Sequence, residues 1–495
     1  MTDTEVVVVG GGIVGLTATL ALARHGIATT LLEAHPGTSV LPRARGVNAR
    51  AMEVFRELGV EDAIRDAGAP LARSDGILVG HDLISLVTPL PRRDGPPPLR
   101  PATAWSPVTG SRGTLDVVEP VVLRAALDVG ATVRFGTRVT ALEQDDGGVV
   151  ARRDGGAVHA RYAVLADGAS GPVRHALGIG STRGRSHGHQ VNVLFECDLA
   201  ELVRDREFSL AMIGQPGLGG MLTALDNRSR WAFHVHYDPA VESGEDFTPD
   251  RCAELVARAI GPGAPPVRVL ATQPWEAAER VADRMRLDRV FLAGDTAHQM
   301  PPAGGRGAST GVADVHNLAW KLAEVLRGSA SETLLDSYED ERWPAGARAV
   351  WVSGEMVPVI AGGAAAGSGR LGGLDMHGAA DRYSSRAIVS DGPAEPVLDR
   401  LDGSPGSRVP HLWLPDGRST VDLAGDWCVL AGPDRPGGGD VTVPDVDALG
   451  IGPEGAVLLR PDSYVAWREP GPDGDPAAVR AAIRRAGTTV PTARR

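Results

Sequence analysis

Three observations predict a multidomain α/β fold. The 495-residue chain opens on a strand–glycine turn–helix–strand unit, parallel-strand patterns return after long intervals, and an antiparallel pattern intervenes between them. Val6–Val9 is a β-branched run and reads as a buried parallel strand. Gly10, Gly11, Gly12 and Gly15 turn it into a helix over Ile13–Arg24, which Gly26 stops. Residues 28–32 form the second strand and end at Glu33. Between about 105 and 185 helical and strand patterns alternate, and the last strand, 161–166, runs into Asp167-Gly168.

From about 186 to 275 the period changes. Trp231, Phe233, Val235 and Tyr237 alternate with Ala232, His234 and His236, as in a half-buried antiparallel strand. Thr248-Pro249 supplies an N-cap and first residue for a helix over 249–260, closed by Gly261. This stretch reads as a roof over a ligand. Residues 290–293 restore the parallel pattern. Past a Gly/Pro-rich loop, Val312, Val315, Ala319, Leu322 and Leu326 then recur at helical spacing from near Gly311, with Asp314, Lys321 and Glu324 off the stripe. Residues 361–373 are Gly/Ala/Ser-rich. Strand-like pieces at 411–414, 427–430, 457–459 and 464–467 predict a third, small α/β domain.

Composition excludes some partners. Fifty basic and 62 acidic residues give −12 with no basic block, which argues against nucleic acid. The uncharged stretch 6–23 is long enough to span a bilayer, but acids precede it and four glycines interrupt it, so no membrane or targeting segment is expected. Cys197, Cys252 and Cys428 are far apart, without metal-ligand spacing, and read as reduced thiols of a cytoplasmic protein that binds no metal.

The chemistry sits in four motifs. Gly10-x-Gly12-x-x-Gly15 with Glu33 is a Rossmann-type dinucleotide fingerprint: glycine lets backbone approach a pyrophosphate, the helix N-terminus favours its charge, and Glu33 suits a ribose hydroxyl. Gly294-Asp295 ends a second strand as a contact for a long cofactor. The loop after it carries Pro302, Gly305, Gly307, Ala308 and Ser309 before a helix whose N-terminus would stabilise negative charge on a reduced flavin. Asp167-Gly168 suits either the cofactor or the capping of the next turn. Arg43, within Pro42-Arg43-x-Arg45-Gly46, offers a guanidinium to phosphate, although composition alone favours a solvated arginine.

In this order, and with His316-Asn317-Leu318-Ala319-Trp320-Lys321, these motifs resemble the single-component (group A) FAD-dependent aromatic monooxygenases. Within them the chain is similar to the polyketide hydroxylases of the aklavinone type and to rifampicin monooxygenase. The resemblance implies the para-hydroxybenzoate hydroxylase-like fold. Residues 1–75, 105–185 and 276–360 would be a discontinuous FAD-binding domain, and 76–104 with 186–275 a β-rich substrate domain. A 361–394 linker and a thioredoxin-like domain over 395–495 would follow, the latter without a Cys-x-x-Cys pair. The resemblance also implies that NADPH reduces FAD, that O2 adds at flavin C4a, and that the hydroperoxide hydroxylates a bulky aromatic substrate. Arg43 would lie beside the cofactor, Glu33 on the adenosine ribose, Asp295 on the ribityl chain, and the Pro302–Ser309 loop beside the isoalloxazine. Ser309, Leu115 and Ser384 depart from the family's asparagine, glutamine and arginine, which leaves the substrate open.

No side-chain triad is expected, because the chemistry is the flavin's. His234, His236 and His298 are candidates to assist a phenolic substrate, and Trp275 or Trp231 to line its pocket. For each, a structural role is the competing reading. Baeyer–Villiger oxidation, epoxidation and a flavin-binding resistance protein with little turnover stay open. The absence of Trp-x-Trp disfavours a halogenase.

Overall fold

Val6, Val7 and Val8 are wholly buried because their strand has parallel neighbours on both sides: Val6 pairs with Thr29 and with Tyr162. A computed structural model describes residues 2–92, 105–360, 378, 380–392, 395 and 400–485. Most of the expected 361–394 linker and the end of the 76–104 segment lie outside the described residues. The six-stranded sheet runs Arg286–Leu287, Val290–Leu292, Tyr162–Leu165, Val6–Val9, Thr29–Leu32, Thr132–Arg134, parallel apart from its first pair. The helix Ile13–Arg24 forms over the predicted residues, and Gly26 takes φ +71 beyond it.

A seven-stranded sheet follows the order His298–Gln299, Arg268–Ala282, Ser181–Glu196, Arg230–Tyr237, Leu218–Ala224, Phe208–Gln215, Asp75–Gly80. Its two longest strands overrun the boundaries at 186 and 275 that the change of period suggests. One face buries Val193, Phe195, Trp231 and Phe233 against Cys252 and Val256 of the Pro249–Ile260 helix, as a core of its own. On the other face Leu194 and Ala232 pack with Leu41 of the 39–48 segment.

The C-terminal sheet has the order Val441–Thr442, Cys428–Ala431, Ala456–Leu459, Val465–Glu469, with the first pair parallel and the rest antiparallel, which is the thioredoxin-like arrangement. Residues 411–414 are not a strand. Pro410 and Pro415 bracket them, and Trp413 makes only an isolated bridge to Ser419. All three cysteines are buried and free. Burial pushes Cys197 up to about 11 and Cys428 up to about 12, so neither is a reactive thiol.

The helix Gly307–Leu326 begins earlier than Gly311. Gly311 is a close-approach residue instead: a Cβ there would lie 2.4 Å from Val14 and 3.0 Å from the Gly294 Cα. Asp314, Lys321 and Glu324 are buried, not solvated, because the C-terminal domain and the Asp336–Ile360 helix cover that face. Lys321, Glu341, Arg460 and Asp462 are buried together. Lys321 Nζ donates to Glu341 Oε2 (2.8 Å), and Arg460 grips Glu341 (2.5 and 2.9 Å) and Asp462 (2.9 and 2.5 Å). This cluster joins the C-terminal domain to the rest of the chain.

Burial alone would raise the Glu341 carboxyl, but Arg460 and Lys321 outweigh it and hold the group far below the usual range. A folded-state value below the unfolded one contributes stability that is present above the unfolded pKa and lost as pH falls. Urea unfolding series should therefore show stability falling as the pH drops below about 4.5, the ordinary glutamate value, and Glu341→Gln should flatten that dependence. An unchanged acid limb in the variant would count against the cluster as its source.

Candidate cofactor and substrate site

Val6–Val9, Tyr162–Leu165 and Val290–Leu292 are parallel neighbours in register, so they end together and the loops after them share one rim. This is why Gly10–Gly15, Asp167-Gly168 and Gly294-Asp295 meet. Gly10 takes φ +106, and a Cβ there would lie 2.2 Å from the Ala166 carbonyl oxygen; one on Gly15 would lie 1.9 Å from that of Gly10. The turn's own packing requires both. Gly12 differs. Its φ of −74° suits any residue, and the nearest atom to an added Cβ is Glu119 Oε1 at 3.8 Å. The space in front of Gly12 is open, and the helix it begins has no side-chain cap. A pyrophosphate fits both facts.

Glu33 Oε2 accepts from Gly11 N (2.5 Å), and Oε1 accepts from His35 N (2.7 Å), which clamps the turn to the second strand. Oε1 also meets His35 Nδ1 (2.5 Å), so the lone pair left for a further donor is on Oε2. Glu119 carried no motif, being one acid in an apolar helix before Pro120, yet it organises the site. It accepts from Ile13 N (3.1 Å) and Ser39 N (2.8 Å), and burial pushes its carboxyl up.

Asp167 accepts from Thr296 Oγ1 (3.0 Å) and Val173 N (3.3 Å), so it both caps the next helix and joins its loop to the Gly294-Asp295 turn. Asp295 is surrounded by protein yet exposed to solvent, lining a small pocket with Arg174, Arg280 and Gln299. Enclosure raises its pKa, while His298 and Arg43 oppose the rise. Its Oδ1 lies 3.7 Å from where a Gly307 Cβ would sit. Arg43 is exposed and makes no hydrogen bond among the described residues, and its charge reaches both Glu119 and Asp295. A guanidinium so placed is ready for phosphate.

Pro302, Gly304 and Gly305 are exposed, and both glycines take positive φ (+79 and +61). Gly307 and Ala308 are half-buried at an uncapped helix start, and buried Ser309 accepts from Asn48 N (3.0 Å). Behind this loop Asp314 accepts from Gly294 N (3.0 Å), His298 Nε2 (2.6 Å) and Arg342 Nε (2.8 Å). His298 is thus built into a buried clamp, with Nε2 bonded and Nδ1 closed off from solvent.

Strand parity sorts the remaining candidates. Trp231 is wholly buried in the far core, stacked on Phe208 with Nε1 donating to the Cys197 carbonyl (3.0 Å), so it lines no pocket. His234 and Trp275 are half-buried and His236 exposed, on the face toward the cleft. There Met212, Met221, His234, Asn192 and Gln273 stand directly opposite one another across five strands. Ser384 is exposed, beside a Tyr383 ring buried on Tyr464. The 39–48 segment links the two walls: Arg45 donates to the Ala224 carbonyl (3.1 Å) and Ser209 Oγ (2.9 Å) of the wide sheet. Burial, reinforced by Arg112, lowers Arg45 to about 10, so it stays charged at neutral pH.

Comparisons with known proteins give the family. Residues 3–353 match the FAD binding domain family, and residues 402–487 match the aromatic-ring hydroxylase C-terminal family. The chain belongs to the FAD-dependent aromatic-ring hydroxylases. It is an FAD-dependent monooxygenase. It is 40% identical to a putative polyketide hydroxylase of Streptomyces halstedii, over 94% of this chain and 93% of that one. It is 38% identical to an aklavinone 12-hydroxylase of Streptomyces peucetius subsp. caesius, over 87% and 92%. The structure of aklavinone-11 hydroxylase with FAD and aklavinone matches with TM-score 0.86 at 33% identity, over 98% and 99% of the two chains.

Proposed function

We propose that this monooxygenase hydroxylates a bulky, planar aromatic polyketide, with NADPH as the electron source, in the cytoplasm. The observation that carries the substrate class is the row Met212–Met221–His234–Asn192–Gln273, a broad wall with polarizable and hydrogen-bonding side chains on the face that packs Leu41 of the Arg43 segment. The polyketide hydroxylases it resembles support the same reading. No helix among the described residues is long and apolar enough to cross a membrane.

Arg43 and the open space before Gly12 would hold the pyrophosphate, Glu33 the ribose and Asp295 the ribityl chain. Asp167 would brace the Asp295 turn, and Pro302, Gly305, Gly307, Ala308 and Ser309 would border the isoalloxazine. Bound FAD supplies the redox chemistry, taking a hydride from the nicotinamide and activating O2. The chain orients the aromatic ring, keeps water out, and presents the Gly307 helix N-terminus to negative charge. Asp295→Ala should weaken FAD binding about 10- to 100-fold, as loss of a charged hydrogen-bond acceptor does, measured by equilibrium dialysis.

The test of function supplies yellow protein, NADPH, labelled O2 and a panel of anthraquinone and naphthacenequinone aglycones. One labelled oxygen per product, attached to a ring carbon, is expected. Release of peroxide alone from every aglycone would sink the proposal, and oxygen inserted into a ring C–C bond would reassign the reaction to Baeyer–Villiger oxidation.

A further inference from the structure

Trp275 Nε1 can only donate, so the Asn192 side-chain atom 2.7 Å away is the amide oxygen, not its nitrogen. The same oxygen lies 2.6 Å from His234 Nδ1. His234 and Asn192 are directly opposite on neighbouring strands, and Trp275 reaches across from the next strand, so the arrangement is built by sheet register. An oxygen acceptor at that distance requires a proton on Nδ1. Burial, then the charges of Arg45 and His236, lowers His234 to about 4, so the ring is neutral at physiological pH. A neutral imidazole has one N–H, which leaves a bare lone pair on Nε2. Nε2 has no partner among the described residues and is not closed off from solvent.

We propose that His234 Nε2 is a fixed hydrogen-bond acceptor that selects substrates with a phenolic or enolic hydroxyl facing it, and that Asn192 and Trp275 are positioning residues that set its tautomer. This rests on the reading that the cleft takes a polycyclic aromatic substrate. A phenol, with a pKa near 10, does not hand its proton to so weak a base. The contact is therefore a shared hydrogen bond that orients the ring, with Arg45 adding positive charge on the same side. A substrate lacking the hydroxyl leaves the acceptor unpaired in a desolvated site, and the usual penalty for such a group corresponds to about a 10- to 100-fold loss of binding.

The test titrates FAD-loaded enzyme, without NADPH, with 2-hydroxyanthraquinone and 2-methoxyanthraquinone, following the flavin absorption band. At about pH 6, where the probe's hydroxyl keeps its proton, the hydroxyl compound should bind about 10- to 100-fold more tightly. His234→Phe should keep FAD and bring the ratio near one, and Asn192→Leu should do the same. Asn192→Asp should restore the preference, since a carboxylate accepts from both rings, and should make it pH-dependent by raising His234. Nitrogen-15 spectra of histidine-labelled enzyme should show Nδ1 protonated and Nε2 bare in the resonance that His234→Phe removes.

Equal affinities, no binding of either compound, a preference surviving in His234→Phe, or a protonated Nε2 would overturn the proposal. Should His234→Phe lose FAD, Asn192→Leu and the spectra decide. Because no turnover is involved, an intact hydroxyl preference without oxygenated product would sink the functional reading alone.

Discussion

Arg460→Met should destabilise the folded chain by about 3–5 kcal/mol, the cost of removing one partner from a buried ion pair. Without Arg460, Glu341 and Asp462 remain in the interior with Lys321 as the cation bonded to Glu341. The loss should appear in urea titrations followed by tryptophan fluorescence, since Arg460 packs over the Trp320 ring at 5.2 Å. Arg124→Met supplies the contrast. Arg124 is 79% exposed in its pair with Asp128, and its loss should cost less than about 1 kcal/mol. Equal stability of Arg460→Met and the parent enzyme would mean that the two carboxylates find other partners.

Gly15→Ala and Gly12→Ala should separate packing from cofactor contact in one experiment. At Gly15 the new methyl would stand 1.9 Å from a main-chain oxygen, so the turn must move, and both apoprotein stability and FAD content should collapse. At Gly12 the methyl has 3.8 Å of clearance. The apoprotein should melt near the parent temperature, because the gain from a lower unfolded-state entropy is set against the poorer N-cap that Ala makes. FAD affinity should nevertheless fall by about tenfold or more, the equivalent of roughly 1.4 kcal/mol. Calorimetry of the apoproteins and flavin-to-protein absorbance ratios measure the two effects. A Gly12→Ala enzyme with full FAD affinity would place the pyrophosphate elsewhere.

Much of the fold is legible in the chain because periodicity and glycine geometry are local. The four-valine strand, the helix over Ile13–Arg24 and the Thr248 cap need no distant information. Parity alone puts Trp231 on the face opposite His234, which separates a core residue from a cleft residue even though both are pocket candidates by composition. What is not legible depends on pairing between distant segments. Lys321 and Glu324 sit off the apolar stripe, yet both are buried: Lys321 bonds Glu341 of the Asp336–Ile360 helix, and Glu324 accepts from Trp427 of the C-terminal domain. Asn192 gives no signal as a single polar residue in a strand, and its meaning appears only when register sets it against His234 and Trp275.

The wide sheet has its own apolar core, separate from that of the nucleotide-binding sheet. Met212, Met221, His234, Asn192 and Gln273 belong to neither. Their side chains can be exchanged without repacking anything that holds the molecule upright, so the same scaffold can be retooled for a differently decorated ring system by changing one row of a pleated surface.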